Sequence, residues 1–503
     1  MKPVATTLPL PRSRTIPLYA YFLPIAVTIF LWVTSPNDVS ELQALSGFLL
    51  LYLPLIDYYK WKYQRREGLP LFSLVGLIYW LYFAFPLFWG DRNSPQWQAT
   101  AQTLSDEAIT EAIIMAVLGV FAMWLSMRIP IRRRGASSRI LEITGSQRSL
   151  NYLRGVLVVG SLASLYPISP YALGEEGRLI MILIQSVIPA VSFAMLFRNY
   201  LRGNAAKVDK YLLITFPLTR LLSGLASGWL GASSSIFITA GLIYLGERKK
   251  IPRLGMALLV LFVLFFQAGK AEMRSIYWER QVEASMTERI NRWWDESSTK
   301  WQKAINEPSG DMARELAYQS LSRLSLLTQA ANVIEMTPTT VPYQNGKLYS
   351  YMFVTVIPRF LWPDKPSISE ASEFYKTAYR LVPEDSPRQV SIAVGVLTEG
   401  YINFGWPGAL MIMILMGLFF NYFQNTFHSE TSGVLLESIG VVLIPSLLLV
   451  ESQLAQYLGG ILQQIILITL VFLPIIRLKK INTQANSKSG RKANESRITV
   501  QSS

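Results

Sequence analysis

Cysteine is missing from this chain of 503 residues, and histidine occurs once, as His428. The absence of cysteine excludes a disulfide framework, a thiolate metal site and a cysteine nucleophile. A single imidazole argues against a histidine-rich metal centre and against a Ser-His-Asp relay. His428 follows an apolar run, and we predict an ordinary loop residue on the cytoplasmic side. We also predict that the protein uses no metal ion and no other cofactor.

Charge is scarce as well, because charged residues make up 16% of the chain and hydrophobic residues 51%. This composition carries more apolar surface than a soluble core needs. Several aromatic side chains, such as Trp32, Trp61 and Trp89, lie at the ends of apolar runs. Amphipathic rings prefer the headgroup zone of a bilayer. The composition therefore predicts a membrane protein.

Apolar runs of the length that a membrane helix needs, roughly 20 residues, recur along the chain. They predict an all-α polytopic membrane protein with about twelve transmembrane helices. The runs lie near 17–34, 42–59, 71–89, 108–127, 153–169, 178–197, 211–228, 229–246, 254–269, 404–423, 433–450 and 455–476. The runs at 211–228 and 229–246 abut, and a broken or re-entrant pair is the alternative to two full spans there.

Basic residues predict the orientation, because positively charged flanks resist export. They concentrate in alternate loops, near 60–66, 128–139, 198–210 and 247–253, and in the tail after residue 476. This pattern places both termini in the cytoplasm and the long segment 270–390 outside. It also explains the net charge of +14 as a topology signal, so we expect no nucleic-acid partner.

Four regions follow from these patterns. We predict a first membrane block at 1–269, a large extracytoplasmic loop at 270–390, a second membrane block at 391–478 and a disordered basic cytoplasmic tail at 479–503. Within the loop, amphipathic spacing predicts helices over 275–335. The stretch 337–387 contains many prolines and reads as irregular.

Cationic side chains stand at positions where positive charge is costly. Arg220 lies in the middle of the apolar run TFPLTRLLSG, where a guanidinium needs a polar cavity, an anion or a buried partner. Lys270 and Arg274 are spaced i and i+4 at the predicted outer end of a span, so both project on one side. The alternatives are structural pairing for Arg220 and snorkelling to headgroups for the other two.

A second group of candidates lies late in the chain. Arg359, Lys365 and Arg388 stand among prolines and aromatic residues, and guanidinium groups bind phosphate oxygens bidentately. Glu399 begins the next membrane segment and is flanked by glycines that would let a bulky ligand approach the backbone. Its alternative role is a salt bridge to one of the arginines.

The segments IPRFLWPDKP and EGYINFGWPGALMIMILMGLFF, together with the span pattern, carry a family resemblance. They resemble the O-antigen, or oligosaccharide repeat-unit, polymerases of bacterial surface polysaccharides. The likeness is residue-specific only over about 355–420, with a weaker echo at Arg220 and at Lys270 to Arg274. It implies a membrane glycosyltransferase, similar to the GT-C class, in a bacterial inner membrane.

The resemblance implies transfer of a growing glycan from undecaprenyl diphosphate to the next lipid-linked repeat unit at the outer membrane face. Cations would stabilise the departing diphosphate and a base would activate the acceptor hydroxyl, without a metal. The expected catalytic residues are Glu399, as the base, with Arg220, Arg359 and Arg388, and the expected diphosphate-binding residues are Lys270, Arg274, Arg323 and Lys365. Expected partners are the two lipid-linked oligosaccharides, the bilayer, and a chain-length regulator or flippase.

Three alternatives remain at this point. A flippase or other transporter of lipid-linked glycans would also use charged, broken helices, although this chain shows neither paired halves nor uniformly short loops. A polysaccharide ligase of related layout is expected to have a histidine in the large loop, and this loop has none. A non-catalytic envelope scaffold would leave the concentrated arginines unexplained.

The predicted orientation can be tested with reporter fusions. Alkaline phosphatase joined after residue 306 should be active, because the enzyme requires export, and green fluorescent protein at the same junction should be dark. Fusions after residue 250, in a basic loop, should give the reverse result and serve as the control. Cytoplasmic behaviour of the junction after residue 306 would contradict the topology.

Overall fold

The structure is a computed structural model that is mostly helical. It describes residues 15–64, 68–89, 104–130, 139–143, 146–165, 181–279, 282–310, 312–313, 316, 325–356, 362, 369–381, 394–428 and 433–480. In chain order the helices are α1 (Tyr19–Val33), α2 (Glu41–Tyr63), α3 (Leu71–Trp89), α4 (Asp106–Ser126), α5 (Gln147–Leu165), α6 (Ile188–Leu201), α7 (Lys207–Ala226), α8 (Leu230–Arg248), α9 (Arg253–Arg274), α10 (Met286–Asn306), α11 (Leu327–Met336), α12 (Tyr351–Val356), α13 (Ser369–Ala378), α14 (Val396–Phe427), α15 (Val434–Leu447) and α16 (Leu454–Phe472).

Every apolar run predicted as a span coincides with one of the helices α1–α9 or α14–α16. Among the described residues, 7 helices are long and apolar enough to cross a membrane: α2, α3, α4, α8, α9, α14 and α16. Helices α1 and α15 are apolar but shorter. The helical positions are therefore confirmed, whereas about twelve crossings stays a prediction.

Helices α7 and α8 form an antiparallel hairpin, and of the two only α8 is among the helices long and apolar enough to cross a membrane. The turn between them uses Gly228 at a φ of +74°, a conformation that glycine adopts without steric cost. Gly224 of α7 packs so tightly on α8 that a Cβ there would lie 2.2 Å from Ser233 Oγ. Small residues of this kind let two helix backbones approach closely.

Helix α14 reverses direction near its start. The backbone is non-helical at Phe404 and Gly405, and Gly405 has a φ of +64°. The short piece before the break then lies against the long piece after it, because a Cβ on Gly408 would be 2.2 Å from the carbonyl oxygen of Gly400. The predicted span, 404–423, thus begins at the break, and residues 396–403 form a separate helical arm.

The extracytoplasmic region predicted at 270–390 contains more helix than expected. Helix α9 continues to Arg274 and a π-turn follows it, and α10 and α11 confirm the helices predicted over 275–335. The prediction of an irregular stretch over 337–387 was wrong in part, since a 3₁₀-turn, α12 and α13 lie within it. These pieces occupy the proline-free intervals 343–357 and 367–382, where no residue lacks an amide hydrogen.

The described part of the chain contains one β-sheet, which is short, two-stranded and antiparallel. Strand β1 (Arg139–Ile143) pairs with β2 (Ile476–Lys480), with Arg139 opposite Lys480 and Ile143 opposite Ile476. The pairing joins a predicted cytoplasmic loop to the segment after the last helix. No hydropathy signal in the sequence predicted it, because strand pairing depends on residues far apart in the chain.

The end of the bundle that carries these strands is held by charged groups. Arg198 of α6 pairs with Glu247 of α8 and with Glu437 of α15, and Arg202 also pairs with Glu247, at 2.8 Å. His428 is the non-helical residue that caps the end of α14, at the start of the predicted loop, and it is buried, with 6% exposed. Burial lowers the pKa of His428 to about 3, which keeps the imidazole neutral.

The contact between the two pieces of α14 predicts a stability difference between two glycine substitutions. Gly408→Ala should lower the melting temperature, because its Cβ meets backbone, at a cost of about 1–3 kcal/mol. Gly460→Ala, in α16 with nothing within 4 Å of the added Cβ, should be neutral or slightly stabilising. Thermal unfolding in detergent measures both, and equal melting temperatures would contradict the packing.

Candidate functional site

The helical arm at the start of α14 carries Glu399 and is tied down at both ends. At its beginning the amide of Val396 donates to the carbonyl oxygen of Val450, at 3.1 Å. At its end the break leaves carbonyls without helical partners. The amides of Gln344 and Asn345 satisfy two of them, donating to Ile402 and Asn403 at 3.0 Å each. The arm is therefore a rigid support for Glu399.

The carboxylate of Glu399 is enclosed and accepts a hydrogen bond from the backbone. Its side chain is 1% exposed, and Oε2 accepts from the amide of Leu454 at 2.6 Å. Leu454 is the first residue of α16, where amides lack intrahelical partners and the helix dipole favours a negative charge. Glu399 thus caps a neighbouring helix, a role that the sequence did not predict.

Tyrosines of the segment predicted to be extracytoplasmic lie near this carboxylate. Tyr375 of α13 is fully buried, and its hydroxyl approaches Glu399 without reaching hydrogen-bonding geometry. Burial and then the Glu399 charge raise the pKa of Tyr375 well above its usual value. The same two causes raise the pKa of half-buried Tyr349. Both hydroxyls therefore stay protonated beside the carboxylate.

Glu399 is not joined to the predicted cations that the structure describes. No hydrogen bond or ion pair connects it to Arg220, Lys270 or Arg274. The flanking glycines also do not leave space for a ligand, since protein atoms lie within 3.0 Å of where a Cβ on Gly395, Gly400 or Gly405 would be. The ligand-approach reading of these glycines was therefore wrong.

Arg220 is buried in α7, and its guanidinium has no partner among the residues that the structure describes. Its side chain is 5% exposed, and within the part of the chain that the structure describes its guanidinium forms no hydrogen bond and no ion pair. Structural pairing, the alternative weighed for this residue, is thus not observed among the described residues. A buried guanidinium left in this condition is unfavourable by several kcal/mol in a low-dielectric region. An anionic ligand would relieve that cost.

Lys270 and Arg274 lie on the last turns of α9, as their spacing predicted. Both are half-buried, and Lys270 Nζ donates to Gln267 Oε1 at 3.4 Å. Met273, between them, belongs to the same apolar cluster as Leu225 of α7 and Trp293 of α10. Leu221, which follows Arg220, packs on that cluster too. The structure therefore brings the helix segments that carry Arg220 and Arg274 around one cluster, apart from Glu399.

The remaining predicted cations cannot be placed. Arg323, Arg359, Lys365 and Arg388 lie outside the described residues. Arg380, from the same proline-containing run, is described and is exposed at the end of α13.

Carboxylates that the sequence reading missed gather at the same end of the bundle as Glu399. Glu111 of α4 accepts from Trp406 Nε1 at 2.6 Å, and Glu451 accepts from the Tyr82 hydroxyl at 2.9 Å. Glu111 also borders an open groove of about 480 Å³ lined by Asp38, Asp106 and Glu107. An acid within an apolar run was a usable signal for Glu111.

This acidic groove has a chemistry opposite to that of the predicted diphosphate site. Carboxylates repel phosphate oxygens, so a diphosphate would not bind there. No group of three or more His, Cys, Asp or Glu side chains within the described ranges is arranged to hold a metal ion. Carboxylates and an indole can bind the hydroxyls and apolar faces of sugars, but nothing further in the groove identifies a ligand.

Comparison with known proteins adds one match. Residues 181–444 match a protein family described as Domain of unknown function (DUF8712). The matched region runs from the start of α6 to α15 and contains all eight candidate residues named from the sequence. No curated protein and no solved structure matches the chain.

The cap that Glu399 provides predicts unequal effects of two substitutions. Glu399→Ala should lower the stability by about 1–3 kcal/mol, because the Leu454 amide loses its acceptor. Glu399→Gln keeps a carbonyl oxygen for that bond and should stay closer to wild type. Thermal unfolding in detergent separates the two, and an Ala variant as stable as the Gln variant would contradict the capping role.

Proposed function

This chain belongs to the DUF8712 family, a domain of unknown function, and we propose that it polymerises lipid-linked oligosaccharide repeat units. The substrates are a donor and an acceptor, each carried on undecaprenyl diphosphate. The enzyme is a multi-pass glycosyltransferase of a bacterial inner membrane with both termini in the cytoplasm. It works at the outer face, together with a chain-length regulator or a flippase.

The observation that carries the proposal is the buried guanidinium of Arg220, which has no partner within the described ranges of the chain. It lies six residues before the end of α7, about 9 Å from the predicted outer end at 1.5 Å per residue. A diphosphate headgroup held by a lipid in the outer leaflet can reach this depth. Guanidinium matches phosphate oxygens in geometry as well as charge.

The proposed reaction breaks one bond and forms another. The acceptor hydroxyl attacks the anomeric carbon of the donor sugar, and the bond from that carbon to the diphosphate oxygen breaks. Undecaprenyl diphosphate leaves with the electron pair, and Arg220, Lys270 and Arg274 offset its charge. Arg323, Arg359, Lys365 and Arg388 are proposed to complete this cationic group.

The proton of the acceptor hydroxyl goes to Glu399 in this proposal. Because Tyr375 and the surrounding chain enclose the carboxylate, the hydroxyl reaches it only after α13 moves aside. Such a movement would open the carboxylate to the acceptor hydroxyl, while the arm keeps Glu399 in place.

A transporter of lipid-linked glycans is the second candidate, and the broken helix α14 favours it. Transporters use interrupted helices at their binding sites. The lipid-linked glycans of cells that lack the protein distinguish the two functions. Single repeat units should accumulate on the outer leaflet if the protein is a polymerase, and on the cytoplasmic leaflet if it is a transporter.

Substitution of Arg220 tests the catalytic proposal. Arg220→Ala should reduce polymer formation about 100-fold or more, because the leaving diphosphate loses its partner. Arg220→Lys should restore little activity, since an ammonium cannot bind bidentately. The control is Arg202→Ala, which removes a guanidinium paired with Glu247 at the opposite end of the bundle.

The measurement is the polymer profile of cells that contain equal amounts of each variant in the membrane. Full-length polymer from Arg220→Ala at wild-type protein levels would remove Arg220 from the mechanism. Equal losses in the Arg202 and Arg220 variants would indicate a general effect of charge removal rather than a site.

A further inference from the structure

Helix α10, in the segment predicted to be extracytoplasmic, is amphipathic, and side-chain hydrogen bonds cap its N-terminus. Ser285 accepts from the amide of Glu288 at 3.3 Å, and the Glu288 carboxylate accepts from the amide of Ser285 at 2.8 Å, which completes a capping box. The buried side chains Trp293, Ser297 and Ala304 recur at i, i+4 and i+11, on one face of the helix. This face docks on the rest of the protein.

The docking partner is the outer third of α9, itself a candidate membrane helix. Trp293 Nε1 donates to the carbonyl oxygen of Phe266 at 2.8 Å, and Lys300 Nζ donates to that of Ala268 at 3.1 Å. A Cβ on Gly269 would be 2.7 Å from Ser297 Oγ. These contacts lie several residues before the end of α9 at Arg274, roughly 8 to 12 Å along the helix axis. Helix α10 therefore lies below the tip of α9, at the depth of a headgroup layer.

A second edge of α10 is apolar and uncovered. Trp294 is 55% exposed and Ile305 is 77% exposed. They are eleven residues apart, about 20° around the helix, so they form one edge. A helix that is surrounded by water seldom exposes two large apolar side chains along the same edge.

An exposed apolar stripe on α9 is continuous with this edge of α10. Leu254, Leu258 and Leu261 are 75%, 58% and 62% exposed, and their spacing of i, i+4 and i+7 continues to Phe265 at i+11. The ring of Phe265 lies 4.9 Å from the ring of Trp294. Only 17% of the apolar window of α9 is buried inside the protein. A candidate span that exposes so much apolar surface faces lipid, and the stripe carries that surface onto α10.

We propose that α10 is a membrane-surface helix that lies in the headgroup zone at the Arg274 end of α9. Trp294 and Ile305 insert into the apolar boundary of the leaflet, and the charged residues of the opposite face, such as Asp295, contact water. The occupant of the exposed edge is therefore lipid. This inference does not depend on the polymerase proposal, because it uses only the contacts and exposure of α9 and α10.

The absence of cysteine from the chain makes the test direct. Single-cysteine variants Trp294→Cys and Ile305→Cys carry a nitroxide spin label in full-length protein in phosphatidylcholine nanodiscs. Gln302→Cys, on the exposed polar side of the same helix, is the matched control, and Leu258→Cys on α9 is the lipid control. Accessibility to oxygen, which concentrates in lipid, is compared with accessibility to a nickel chelate, which stays in water.

Labels at 294 and 305 should favour oxygen, as at 258, whereas the label at 302 should favour the chelate. Chelate accessibility at 294 and 305 equal to that at 302 would overturn the proposal in favour of a solvated helix. Exclusion of both reagents, or dipolar broadening between labels, would overturn it in favour of a protein partner or a second copy.

Quenching of tryptophan fluorescence tests the same proposal without cysteine substitutions or labels, so it does not depend on whether the labelled variants fold. Brominated lipids quench nearby indoles, so Trp294→Phe should lose part of the quenchable fluorescence of the wild-type protein. The control Trp293→Phe removes the indole that is fully buried against α9 and should lose a smaller part. Equal quenching losses in the two variants would also count against lipid insertion.

Discussion

The break in α14 frees backbone groups from helical hydrogen bonds inside an apolar bundle. These groups must find other hydrogen-bond partners in the protein, and much of the surrounding structure supplies them. The turn at Gln344 and Asn345 satisfies freed carbonyls, and the carbonyl of Val450 accepts the first amide of the arm. Glu399, on the same arm, caps α16 in return. A single reversal thus connects the turn at Gln344 and Asn345, the arm and α16 into one hydrogen-bonded unit.

Charge is distributed unevenly around this unit. The acids Glu111, Glu399 and Glu451 each have a donor from an indole, an amide or a phenol. Arg220, by contrast, has no partner among the described residues. Protein groups thus stabilise the negative charges of these three acids, whereas the described residues supply no anionic partner for Arg220.

The segment predicted to be extracytoplasmic packs closely against the helices that precede it. Helix α10 contacts α9 through Trp293 and Gly269, several residues before the end of α9. The same cluster of apolar side chains includes Leu225 of α7, so the helix that carries Arg220 is packed against α10. Arg220 and Arg274 therefore lie on helix segments that surround one apolar cluster.

Hydropathy was sufficient to locate α1–α9 and α14–α16, because the length and apolarity of a helix are properties of a continuous stretch. The spacing of the prolines also leaves two proline-free intervals, and α12 and α13 form within them. The burial of His428, the cap that Glu399 provides and the isolation of Arg220 could not be read in this way. Each of these three features depends on which segments, distant in the sequence, come into contact. An acid or a cation in a run of apolar residues signals only that the charge requires a partner. The packed helices determined that Glu399 has a partner, the Leu454 amide, and that Arg220 has none in the part of the chain that the structure describes.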